Sequence, residues 1–77
     1  MILVVCYAVH DKEIVDIRKF NDYKKAHAFI EEDSRNTYNE EIENGDEDAI
    51  YKLEEEKAYL ASYDKEYEWT WEIIYMQ

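Results

Sequence analysis

The first apolar block, Ile2-Leu3-Val4-Val5-Cys6-Tyr7-Ala8-Val9, is continuous and rich in β-branched side chains. It reads as a strand covered on both faces, at the centre of a sheet. A polar break, His10-Asp11-Lys12, separates it from Glu13-Ile14-Val15-Asp16-Ile17-Arg18-Lys19-Phe20, a second strand, and so short a break implies an antiparallel hairpin. Asn21 and Asp22 are good N-caps for a helix carrying Tyr23, Ala26, Phe29 and Ile30 at helical spacing. Tyr38 and Ile42 prolong that stripe past the weak stretch Ser34-Arg35-Asn36-Thr37, where continuity stays open, and Asn44-Gly45 supplies the stop.

Asp46 is then read as the cap of a second helix, with Ile50, Leu53, Leu60 and Ala61 as its inner stripe and an end near Ser62. The last apolar segment alternates with period two: Tyr67, Trp69, Trp71, Ile73 and Tyr75 on one face, Glu68, Thr70 and Glu72 on the other. The aromatic face is expected to form half of the core. The expectation is one α+β domain over residues 1–77, a two-layer β-β-α-α-β arrangement with a three-stranded sheet and a helical hairpin on one face. Two antiparallel helices would return the chain so that the last strand runs parallel beside the first, in the order 2-1-3, in preference to an antiparallel place beside the second strand.

Composition changes this picture in one respect. The 77 residues hold 20 acidic and 9 basic side chains, a net charge of -11, yet 47% of the residues are apolar and 16% aromatic. That aromatic content argues for a folded domain with a thin core. Such a charge opposes a phosphate-backbone ligand, whose affinity depends on Lys and Arg, so the expected partner is a basic protein surface and not nucleic acid itself. The single cysteine, Cys6, forms no internal disulfide, which fits a reducing cytoplasm, and no apolar run approaches the length of a membrane span.

The charge is also unevenly placed. Residues 1–30 have a net charge of +1 and residues 31–77 a net charge of -12. Nine acids, Glu31, Glu32, Asp33, Glu40, Glu41, Glu43, Asp46, Glu47 and Asp48, face one base, Arg35, within eighteen positions. On a continuous helix they would give one carboxylate per roughly 3 Å, close to the roughly 3.4 Å phosphate spacing of a nucleic-acid strand. Such a row suits a groove of Lys and Arg built for nucleic acid. The like charges in Glu40-Glu41-Glu43 and Glu54-Glu55-Glu56 lend a helix little support, which favours a binding role over a structural one. Tyr38, Tyr51, Tyr59 and Tyr63, lying among these acids, add a surface of the kind that meets Arg and Lys.

Other chemistries find less support. Aligned on Gly45, a calcium loop would need oxygen ligands where Ile42 and Tyr51 stand. His27 is spaced to meet Glu31 on a helix, but no nucleophile is placed beside it, and Cys6 reads as a buried hydrophobe. No cofactor motif is present, and the expectation is a protein that is not an enzyme.

The size, the acid-rich stretches Glu31 to Asp48 and Glu54-Glu55-Glu56, and the scattered tyrosines resemble, in composition, the small acidic inhibitors of phages and mobile elements, the DNA-mimic anti-restriction and anti-CRISPR proteins. That resemblance implies an inhibitor in a host cytoplasm that occupies the nucleic-acid site of a nuclease, and transfers no functional residue because such proteins share no common fold. The acidic row itself is the expected contact surface, with Glu31, Glu32, Asp33, Tyr38, Glu40, Glu41, Glu43, Asp46, Glu47 and Asp48 as contacts. The alternative is a homodimeric assembly or antitoxin-like module without mimicry, joined through an uncovered strand.

Overall fold

The computed structural model describes residues 1–76. Five strands form one antiparallel sheet, and a single helix crosses one of its faces. In chain order the elements are β1 (Ile2–Ala8), β2 (Glu13–Phe20), α1 (Tyr23–Glu43), β3 (Ile50–Leu53), β4 (Lys57–Ala61) and β5 (Glu68–Tyr75). The sheet order is β2-β1-β5-β4-β3.

The first hairpin and the helix form where the apolar pattern places them. Val4 pairs with Arg18 and Ile2 with Phe20, and the extra residue Val15 makes a bulge near Asp16. Asp22 caps α1, its side chain accepting from the Lys24 amide at 2.8 Å. The helix runs unbroken through Ser34-Arg35-Asn36-Thr37 because tertiary contacts outweigh local propensity. Ser34 is fully buried, and its hydroxyl lies 2.8 Å from the Tyr51 hydroxyl. Gly45, at φ +103, turns the chain out of the helix.

The expected second helix is absent, and a β-hairpin, β3-β4, replaces it. Ile50, Leu53, Leu60 and Ala61 fit a helical stripe, but the same segments also alternate with period two. Tyr51, Leu53, Ala58 and Leu60 all pack toward α1 in this register. Glu54-Glu55-Glu56, a poor helix interior, lies in the exposed connection, where water screens its like charges. The sheet therefore has five strands and not three, with one helix and not two.

The replacement also reverses the final strand. β5 lies beside β1 as expected, but antiparallel, with Ile2 opposite Tyr75 and Cys6 opposite Trp71. A helix followed by a two-stranded hairpin makes one more reversal than a pair of helices, so the chain enters β5 from the other end.

The core lies between α1 and the sheet and is built from Val4, Cys6, Ala26, Ile30, Ala58, Leu60 and Trp71. Of the aromatic row on β5, Trp71 is buried and Trp69 half-buried, whereas Tyr67 and Tyr75 at its ends are exposed. α1 is too narrow to cover both rims of a five-stranded sheet. Among the described residues no helix is long and apolar enough to cross a membrane.

Candidate functional site

The acids from Glu31 to Asp48 do not form one row. α1 ends at Glu43, and at about 100° per residue its acidic positions turn around the axis. Asp33 points inward and accepts from the Trp71 indole Nε1 at 2.9 Å. Glu31 is held by Arg35 one turn on, at 3.3 Å. Glu32 is exposed on the outer surface, about three turns from Glu43. Tyr38 stacks on Tyr51, with ring centroids 5.0 Å apart, and closes the core.

The remaining acids are gathered at one end of the molecule. Glu40, Glu41 and Glu43 occupy the last turn of α1, and Asp46, Glu47 and Asp48 follow it. The β4-β5 connection, residues 62–67, folds back beside them. The Tyr63 amide donates to Asp46 Oδ2 at 3.1 Å, and the Asp46 amide donates to the Glu41 carbonyl at 3.0 Å. Glu41, Asp46, Ser62, Tyr63, Asp64, Glu66 and Tyr67 together line a shallow hollow of about 370 Å³.

The connection is held by its own hydrogen bonds. Ser62 Oγ donates to Asp64 Oδ1 at 2.8 Å and accepts from the Tyr67 amide at 3.0 Å. The Glu66 amide also donates to Asp64 Oδ1, at 3.0 Å. These donors, the Glu66 amide first and the Ser62 hydroxyl next, hold the Asp64 carboxyl below its ordinary value. Tyr63 and Tyr67 stand 70% and 55% exposed at the rim.

Residues 40–48 and 62–67 thus bring eight carboxylates and one lysine, Lys65, to this end, a net charge of -7. The C-terminal end of α1 adds the negative pole of its backbone dipoles, and no basic residue stands in its last turn. The sequence pattern identifies six of these acids. Asp64, Glu66 and Tyr67 join them only because the connection folds back, a long-range contact with no local signature.

The other titratable groups are placed for structure. Cys6 is buried against α1, and burial, with Asp33 and Asp16 nearby, pushes its thiol up to about 12. His27 does not meet Glu31; its Nδ1 lies 2.8 Å from the Glu55 carbonyl oxygen and ties α1 to the β3-β4 connection. Among the described residues, no three His, Cys, Asp or Glu side chains are positioned to share a metal ion. The chain matches no protein-family model, no curated protein and no solved structure.

Proposed function

We propose that this protein binds a basic protein surface through its anionic end and thereby occludes a site that would otherwise hold nucleic acid. The observation that carries this reading is the concentration of a -7 charge in residues 40–48 and 62–67 at one anchored end of the molecule. The arrangement works against stability, because acids in the last turn of a helix oppose its dipole and one another. A basic groove relieves that opposition. Carboxylates steer the approach and displace the counterions of Lys and Arg, and exposed Tyr63 and Tyr67 supply aromatic faces for guanidinium groups.

The contact set is Glu40, Glu41, Glu43, Asp46, Glu47, Asp48, Asp64 and Glu66. A nuclease of host defence is the partner class that the compositional resemblance implies. The test is capture of partners from a host lysate at low salt, followed by elution with nucleic acid. Release of the captured protein by duplex DNA or guide RNA supports the reading; retention in the presence of both defeats it. Charge reversal at Glu40, Glu41 and Glu43 is expected to abolish capture while the circular dichroism spectrum stays unchanged.

A further inference from the structure

α1 leaves the β2 rim of the face it crosses uncovered, and a groove of about 440 Å³ lies there, within the size range of small-molecule sites. Cys6 on β1 stands between Asp16 on β2 and Trp71 on β5 and forms the floor. Asp33 and Thr37 of α1 make one wall, and Trp69 and Trp71, the only tryptophans of the chain, border the groove as well. The bulge in β2 builds the far wall. In a regular strand Val15 and Asp16 would point to opposite faces, but the extra residue lets both line the groove, the kind of re-aiming for which bulges recur beside active sites. Val15 is left 58% exposed.

The charges in the groove are only partly spent within the protein. Arg18 Nε donates to Asp16 Oδ2 at 3.0 Å, and its guanidinium lies 5.4 Å from the centre of the Phe29 ring. Trp71 Nε1 takes Oδ2 of Asp33. Oδ1 of each carboxylate has no hydrogen-bond donor among the described residues. Burial first, then the Asp33 and Asp16 carboxylates, disfavour the Cys6 thiolate, so both negative charges are felt at the floor. Two carboxylates against one guanidinium leave the groove with a net charge of -1, on a molecule of net -11. An anion is opposed there, and a single positive charge is balanced. The apolar lining suits a short hydrocarbon stem, and an indole favours a flat, weakly hydrated cation over a compact ammonium.

We propose that this groove binds a small organic monocation with a planar guanidinium or amidinium head on a short apolar stem. The head donates to Oδ1 of Asp16 and of Asp33 and packs against Trp69, and the stem lies on Val15. The site is separate from the anionic end, and neither reading depends on the other.

Tryptophan fluorescence reports on this groove alone, because both indoles border it. Titration of the full chain with butylguanidinium, below denaturing concentrations, is expected to shift the emission saturably, and its neutral isostere butylurea to leave the emission unchanged. Asp16→Asn is expected to raise the dissociation constant for butylguanidinium about tenfold, the loss of one charge-assisted hydrogen bond. Trp69→Leu, read through Trp71, should weaken binding as well. Asp16 is partly exposed, so Asp16→Asn decides the matter should Trp69→Leu alter the circular dichroism. Glu32→Gln removes the same charge from the outer surface of α1 and should leave binding unchanged. A non-saturating emission overturns the proposal, as does equal binding of butylurea or wild-type affinity in folded Asp16→Asn. Equal weakening by Glu32→Gln overturns it too, by reducing the effect to overall charge. Tighter binding of the peptide acetyl-Gly-Arg-Gly-amide than of butylguanidinium overturns the small-molecule assignment and gives the groove to an arginine of another protein.

Discussion

The Trp71 indole donates its N–H to Asp33 at 2.9 Å, joining the middle of the helix to the middle of the sheet. Trp71 is only 1% exposed, so its N–H has no ready access to water if the carboxylate is removed. Asp33→Ala is therefore expected to cost about 2 kcal/mol in urea denaturation, and Asp33→Asn, which keeps an acceptor, about half of that. Neither change should weaken capture of a basic partner, since Asp33 faces the core. An Asp33→Ala protein as stable as the wild type would show that the bond contributes nothing net.

The helix end gives a prediction in which stability and binding move in opposite directions. Glu43→Lys replaces an acid with a base at the negative pole of α1 and should raise stability by about 0.5 kcal/mol. The same change lowers the charge of the proposed contact surface by two units and should weaken partner binding. Thermal melts and pull-downs on one sample read both effects. If stability and binding rise together, the acidic end is not the contact surface.

Gly45 tests the turn that feeds this surface. Its φ is +103, and a Cβ there would meet nothing within 4 Å, so the effect of a substitution is confined to backbone conformation. Gly45→Ala is expected to destabilise by about 1 kcal/mol, measured by denaturant midpoint. A neutral result would mean that the helix ends in another conformation.

High pH should weaken the fold through its tyrosines. The Tyr75 hydroxyl donates to Glu56 Oε1 at 2.7 Å, and that bond, with slight desolvation and nearby carboxylates, pushes Tyr75 up to about 12. Burial first and neighbouring glutamates second also raise Tyr23 and Tyr59. A folded-state value above the unfolded one means that stability is fully present below about pH 10 and is lost as pH rises through the raised values. Tyrosinate absorbance should show a late-ionising fraction, and the denaturant midpoint should fall over the same pH range. Ionisation of all eight tyrosines near pH 10 with no change in the denaturant midpoint would contradict this.

The first hairpin, the capped start of α1, its stop at Gly45 and the last strand were all legible, because each carries a single periodicity bounded by polar or glycine punctuation. Residues 46–62 were not. Asp46, Glu47 and Asp48 suit the start of a helix, and Ile50, Leu53, Leu60 and Ala61 suit its stripe, while Tyr51, Ala58 and Leu60 equally suit strands. Packing of Tyr51 on Tyr38 and Ser34 decides between them, and that contact spans seventeen positions in the case of Ser34. The candidate site divides in the same way. The abundance of acids was legible, but the division between Asp33, turned to Trp71, and Asp46, turned to Tyr63, depends on neighbours brought in by the sheet.

The placement of β1 next to β5 has a consequence for how the chain reaches this state. Ile2 and Tyr75, near opposite ends of the described chain, sit side by side in the middle of the sheet, and within the sheet the two hairpins β1-β2 and β3-β4 are joined only through β5. On a ribosome the central ladder cannot close until β5 has emerged, so completion of the sheet comes late. A product truncated before Glu68 would carry two hairpins joined only through α1, around a core that lacks Trp71, a natural substrate for proteases.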